Sequence, residues 1–569
     1  MQTFSGVGVA PGRVLGPVRQ MPKPVQEPRE NVNIPADVTV ESQGQRIKDA
    51  AKAVQAELRA RAATASSEGK EVLEATALMA ADPMLVKSAI RLLSPEAPGG
   101  ARTAERAIWE AAATVADSLK ALGGYMAERV ADVLDVRARI VSELRGLPAP
   151  GIPASDVPFI LAAEDLAPAD TATLDPAKVI ALITSSGGPQ SHTAILARAL
   201  GLPAIVAAPG VDGIADGTEV YLDGAAGTVT VDPGEDLRLA AKAWANQAST
   251  LAAFSGSNVM ADGFRVPLLA NVGTGADAVK AADAGAEGVG LLRTEFCFLD
   301  RDDEPTVEEQ IAAYGAVFAA FPGKKVVVRT LDAGADKPLP FLTNADEPNP
   351  ALGVRGYRTD LTSPGVLERQ LAAIAAAEAA NQAEVWVMAP MISTAEEAAH
   401  FAALCSAAGL KTPGVMVEVP SAALTAASVL REVSFASLGT NDLTQYAMAA
   451  DRQLGPLATL NDPWQPAVLQ LVKLTADGAA AASSGGNLRP VGVCGEAAAD
   501  PALAVVLVGL GVATLSMSAR ALAAVSAVLA TVTVAQAQQL ATTALSAPSA
   551  SAARQAVRAQ LPILDELGL

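Results

Sequence analysis

A chain of 569 residues is long enough for two to four domains with well-filled cores. Its formal net charge of −19 argues against nucleic acid as a ligand, because that affinity comes from lysine and arginine on phosphates. Three cysteines (Cys297, Cys405 and Cys494) lie far apart beside only two histidines, which excludes a disulfide framework or zinc spacing and fits a reducing cytoplasm.

Residues 1 to about 20 alternate apolar and small residues, as strands and turns do. Their glycines do not match a dinucleotide fingerprint, since Pro11 stands where a helix would have to run. The opening Met1–Gly6 lacks the basic and apolar regions of a signal peptide. From 21 to 146 the spacing becomes helical, over Glu41–Ala63, Gly69–Leu92, Ala101–Leu122 and Tyr125–Leu144, punctuated by glycine and proline. This predicts a helical bundle inserted between residues 1–20 and a strand-rich block at 147–234.

Within that block Lys178–Ile183 reads as a buried strand, Gly187 and Gly188 allow a tight turn, and Ser191 is a good N-cap for the residues that follow. His192 therefore falls in the first turn of a helix, where free N–H groups and the dipole favour an anion. A neutral imidazole there is suited to take up a phosphoryl group. The ordinary reading of a lone histidine is a capping or half-buried one. His400, in the helical stretch Thr394–Leu410, receives that reading as a surface or core residue.

Glu235–Phe254 has no helix breakers and predicts a linker helix over 235–257. From 258 to 569 strands and helices alternate. Eight apolar runs end in polar residues: Leu268–Asn271, Gly288–Glu295, Val326–Asp332, Val385–Met391, Gly414–Glu418, Phe435–Asp442, Val491–Glu496 and Ala513–Ser518. They predict a (β/α)8 barrel of the TIM type, whose chemistry sits at the strand C-termini. The apolar run Ala502–Val512 is too short to span a bilayer and reads as a buried barrel helix, so no membrane insertion is expected.

The predicted strand ends carry Arg293, Arg329, Glu418, Asn441, Asp442 and Cys494, with Arg452 a turn beyond. So many charges on one rim call for a ligand. Guanidinium forks match phosphate and carboxylate oxygens. Two carboxylates with substrate oxygens and waters suit an octahedral Mg²⁺. A phosphorylated carboxylate bound with Mg²⁺ satisfies the set, and the same charges would neutralise a phosphoryl-transfer transition state.

The motifs also carry a resemblance. Gly187-Gly188-x-x-Ser191-His192-Thr193-Ala194-Ile195-x-Ala197-Arg198, followed by Leu202-Pro203-Ala204-Ile205, resembles the phosphohistidine signature of phosphoenolpyruvate-utilising enzymes. Gly285–Glu295, Gly414–Glu418, Leu438–Tyr446, Val493–Glu496 and Leu515–Ser518 resemble, in order, the substrate barrel of that family. Glu74-x-x-x-Leu78-Met79-x-x-Asp82-Pro83 and Glu128–Asp135 are similar to the inserted bundle of its Enzyme I branch, from the bacterial sugar phosphotransferase system. The dikinase and synthase branches carry an ATP-binding region, and no glycine-rich nucleotide loop stands in this sequence.

The resemblance implies a swivelling phosphohistidine α/β domain (1–20 and 147–234), an inserted bundle that binds the phosphocarrier HPr (21–146), a linker helix, and a phosphoenolpyruvate-binding, dimerising barrel (258–569). It implies that His192 takes the phosphoryl group, and that Arg293, Arg329, Arg355, Asn441, Asp442 and Arg452 hold the substrate. Glu418 and Asp442 would ligate Mg²⁺, and Cys494 would protonate the enolate to pyruvate. A thiol with a pKa near ~8.5 is mostly protonated at neutral pH and can donate. The implied protein is a cytoplasmic homodimer. The alternatives are an ATP-dependent synthase or dikinase, or a non-catalytic regulatory relative. Three positions depart from the family: Gln190 replaces a common threonine, Ala167 a hydroxyl residue that often contacts the active histidine, and Thr76 a frequent histidine of the bundle.

Overall fold

The computed structural model describes residues 2–30, 32, 38–62, 74, 76–122, 130–153, 155–166, 174–188, 191–248, 253–299, 301–333, 339–343, 347, 349–452, 454–483 and 487–569. The chain forms two compact units, one of residues 1–15, 184–209 and 219–569, the other of residues 16–183 and 210–218.

In the first unit β1 (Gln2–Ser5) runs antiparallel to β8 (Thr228–Val231), which pairs antiparallel with β7 (Glu219–Asp223). β2 (Val7–Ala10) pairs antiparallel with β6 (Ala204–Val206). Just before β6 lies the helix His192–Leu200. Ser191 caps it as its sequence predicts, its hydroxyl oxygen accepting the Ala194 N–H at 3.3 Å. Gly201 ends it in the left-handed conformation, at φ 67°. The helix Glu235–Ala248 then leads toward the barrel.

The barrel is closed by eight parallel strands. They are β9 (Leu268–Val272), β10 (Val289–Arg293), β11 (Lys325–Arg329), β12 (Glu384–Ala389), β13 (Pro413–Val417), β14 (Phe435–Leu438), β15 (Val491–Val493) and β16 (Thr514–Met517), and β16 pairs back onto β9. Strand alternation divides the side chains into two layers. Val326 and Val328 pack outward with the helices, while Val327 joins Leu291, Met388, Met416, Phe435 and Cys494 in a separate inner cluster. Each of the eight predicted runs overlaps one strand. The sixth strand stops at Leu438, so Asn441 and Asp442 lie in the first turn of the helix Thr440–Met448 instead of on the strand. The run read as a barrel helix is the helix Pro501–Gly509, buried from Pro501 through Val508. No single described helix is long and apolar enough to cross a membrane.

The second unit contains the helices Val40–Ala62, Pro83–Arg91, Ala104–Leu122 and Val130–Arg145. Ile47, Leu58, Ile108 and Ile140 are fully buried among them. The predicted stretch Gly69–Leu92 is interrupted: residues 74 and 76–80 are helical, Ala81 and Asp82 are not, and the next helix begins at Pro83. Proline is preorganised for a first helical position, and the Asp82 carboxylate accepts the Met84 N–H at 2.6 Å. Thr76 is buried in this unit. β3 (Arg13–Gln20) runs parallel to β4 (Phe159–Ala163), with Val18 opposite Ile160.

Candidate active site

The C-terminal ends of several barrel strands, and the turns that follow them, bring charged side chains to one rim. β10 ends at Arg293, and the 3-10 turn after it carries Glu295. β11 ends at Arg329, followed by Asp332. Glu418 comes directly after β13, and Cys494 directly after β15. Arg355 precedes a 3-10 turn, and Arg452 follows the helix that holds Asn441 and Asp442.

These side chains form an alternating chain of charges. Arg329 Nη2 donates to Glu295 Oε1 at 2.8 Å, and its Nη1 lies 3.0 Å from Asp332 Oδ2. Arg355 grips Asp332 with both Nε (3.1 Å) and Nη2 (2.9 Å), while its Nη1 donates to Asp442 Oδ1 at 3.0 Å. Arg452 Nη1 donates to the other oxygen of Asp442, at 3.1 Å. Arg329, Arg355, Asp332 and Asp442 are all buried. Burial opposes ionisation of Asp332, but the guanidiniums of Arg355 and Arg329 overcome it and hold the carboxyl below its ordinary value. Arg293 has no ion pair with another described residue.

Glu418 is the exception in the chain. Its Oε1 accepts the Met391 N–H at 2.7 Å, but Oε2 is buried without a partner. Burial, then the nearby charges of Asp442 and Asp332, push its carboxyl up to about 8. A Cβ on Gly439 would lie 2.9 Å from that Oε2, so the glycine keeps the space beside it free. An unmatched acceptor, a second carboxylate nearby and an open cradle fit a small divalent cation. Among the described residues no three His, Cys, Asp or Glu side chains close into a metal cage. The rest of such a cation's shell would be substrate oxygens and water, as suits Mg²⁺.

Cys494 belongs to the inner barrel cluster and is buried. Its Sγ lies 3.6 Å from the Leu438 carbonyl oxygen, and burial pushes the thiol up to about 11. It is therefore a proton-bearing group well above neutral pH. Asn441 Oδ1 accepts the Glu496 N–H at 3.2 Å, which directs its amide donors elsewhere.

Residues that the sequence reading left without a role also belong here. Asp332 and Glu295 hold the arginines, and Tyr446 accepts from Arg355 Nη1 at 3.3 Å. Asn271 Nδ2 donates to the Cys494 carbonyl at 3.0 Å. A carboxylate three residues after a strand-end arginine was the available signal for Asp332.

The His192 helix meets the same rim. A Cβ on Gly188 would lie 2.6 Å from the Arg452 carbonyl oxygen, and Arg198 Nε lies 2.9 Å from Glu496 Oε2. The His192 backbone begins the helix, but its side chain lies outside what the structure describes, as do Gln190 and Ala167. The other histidine, His400, is exposed, with Nδ1 2.6 Å from the Tyr357 hydroxyl.

Comparison with known proteins places this geometry in a family. Residues 249–534 match the PEP-binding domain of PEP-utilising enzymes, residues 156–227 their mobile domain and residues 5–129 their N-terminal domain. The phosphoenolpyruvate-protein phosphotransferase of Streptomyces coelicolor is 52% identical over 98% of this chain and 99% of its own. A protein of the same name from Haloferax volcanii is 40% identical over 83% of this chain and 85% of its own. The multiphosphoryl transfer protein of Xanthomonas campestris is 41% identical over 78% of this chain and 54% of its own. The chain belongs to the phosphoenolpyruvate-utilising enzyme family.

Proposed function

We propose that the protein is the phosphoenolpyruvate–protein phosphotransferase, or Enzyme I, of a sugar phosphotransferase relay. Phosphoenolpyruvate binds the barrel rim, where Arg293, Arg329, Arg355 and Arg452 match its phosphate and carboxylate oxygens and Asn441 supplies amide donors. Glu418 and Asp442 would hold Mg²⁺, which supplies charge neutralisation during phosphoryl transfer.

A ring nitrogen of neutral His192 attacks phosphorus, and the bond from phosphorus to the enol oxygen breaks. The enolate takes a proton from the Cys494 thiol and leaves as pyruvate. The phosphohistidine then gives its phosphoryl group to a histidine of HPr, docked on the helical bundle. The two transfers use different parts of the chain, so the phosphohistidine domain, residues 1–20 and 147–234, moves between them. The assembly is a cytoplasmic homodimer joined through the barrel, residues 258–569.

The observation that carries this reading is the buried alternation of arginines and carboxylates around the unmatched Glu418 Oε2, beside a proton-bearing Cys494. The full-length similarity to named phosphotransferases supports the same reaction. The test is pyruvate release from phosphoenolpyruvate by the full chain with Mg²⁺ and HPr. Release that needs HPr and no nucleotide is expected. Release that requires ATP would assign the protein to the synthase or dikinase branch, and no release would assign it a regulatory role.

A further inference from the structure

Contacts that join the His192 segment to the barrel lie on either side of His192, and at the far end of its helix the Leu200 carbonyl accepts from Arg520. On one side the backbone at Gly188 packs on the Arg452 carbonyl, too closely for any side chain. On the other, Arg198 and Glu496 pair at 2.9 Å, with side chains 15% and 26% exposed. Both partners are fixed in place. Arg198 Nη1 also donates to the Val9 carbonyl at 3.3 Å, and the Glu496 N–H donates to Asn441. Glu496 lies two residues after Cys494. The pair thus ties the helix that begins at His192 to the turn that carries the proton donor. Neither side chain is needed to hold substrate or metal.

We propose that the Arg198–Glu496 ion pair is a latch. It positions the His192 helix on the barrel rim for transfer from phosphoenolpyruvate, and it has no part in exchange with HPr. This rests on the reading of His192 as the phosphoryl acceptor. In-line attack needs the reacting atoms held about 3–3.5 Å apart in a fixed orientation. The rim arginines fix the phosphate, so something must fix the helix. A displacement of about 1 Å can cost 10²-fold in rate. The latch acts on the docked population and leaves substrate affinity to the rim. Arg198 and Glu496 are accordingly positioning residues.

The test uses full-length Arg198→Glu, Glu496→Arg and the double charge swap. Each is labelled once from phosphoenolpyruvate with Mg²⁺ and once from phosphorylated HPr, using an HPr that the wild-type protein phosphorylates. Each single variant should label from phosphoenolpyruvate about 10²-fold more slowly. Its KM for phosphoenolpyruvate should stay at the wild-type value, and it should accept from phosphorylated HPr at the wild-type rate. The double swap should recover most of the lost rate. Wild-type rates from phosphoenolpyruvate in the single variants would overturn the latch. So would equal loss with both donors, or a double swap as slow as the singles. Failure of the wild-type protein itself to label at His192 would overturn the functional reading instead, whatever the variants do.

Discussion

Two arginine–carboxylate clusters in this molecule look alike as composition and differ as chemistry. In the helical bundle Arg106 donates to Glu27, Glu30 and Glu110 at 2.6, 2.8 and 2.6 Å. The carboxylates of Glu27 and Glu30 are largely exposed, at 58% and 68%. At the barrel rim Arg329 and Arg355 face Asp332, Asp442 and Glu295 with almost no solvent. The bundle cluster is an ordinary surface-edge network whose acids keep water as an alternative partner. The rim cluster has no such alternative and still leaves Glu418 Oε2 unmatched. Counting charges does not distinguish the two; burial combined with an unmatched acceptor does.

The sharpest way to break the comparison is to remove one guanidinium from each cluster. Arg355→Met leaves Asp332 with Arg329 alone and Asp442 with Arg452 alone in a buried site, and should lower unfolding stability by about 3–5 kcal/mol. Chemical denaturation of the metal-free protein reads this directly, and a loss under about 1 kcal/mol would put the rim in the same class as the bundle.

Glu418→Gln should separate activity from stability. Autophosphorylation by phosphoenolpyruvate should fall about 10²–10³-fold, since a carboxylate that would hold the neutralising Mg²⁺ is lost. Stability should move the other way. The folded-state pKa of Glu418 is raised to about 8, so its stabilising contribution is complete below the unfolded value near ~4.5 and is lost as pH rises through about 8. Glutamine is neutral throughout. The metal-free variant should therefore be more stable than wild type by about 4 kcal/mol at pH 8, with little difference near pH 4.5. Thermal melts at the two pH values check the sign.

Cys494→Ala should slow pyruvate formation about 10²-fold, the lower range for a positioned general acid. Because burial pushes the thiol up to about 11, the wild-type rate should carry no alkaline limb near the ordinary cysteine value of about 8.5. A pH–rate profile that turns down there would remove Cys494 from the proton-donor role. The smallest effect is expected at Arg106→Met. It should cost about 1–2 kcal/mol and leave labelling by phosphoenolpyruvate unchanged.

Much of the barrel was legible in the sequence because its strands are apolar runs that end in polar residues, as at Leu292-Arg293 and Val417-Glu418. Ser191 marked the start of the His192 helix by local cap chemistry. The sixth run was read one turn too long, because Gly439-Thr440 continues the small-residue texture of the strand into a helix start. The pairings at the rim could not be read. Arg355 reaches Asp332 and Asp442 only because β11, β14 and the turn at Gly356 converge in space. Arg198 and Glu496 are unremarkable in their own local sequence, and their contact is a product of tertiary docking.

The central claim is that the rim passes a phosphoryl group to His192. The direct measurement is to incubate the full chain with radiolabelled phosphoenolpyruvate and Mg²⁺, quench at alkaline pH, and map the label by mass spectrometry. An acid-labile phosphoryl group on His192, absent from His192→Ala, is the predicted result. Label on His400, or unchanged labelling of His192→Ala, would contradict it.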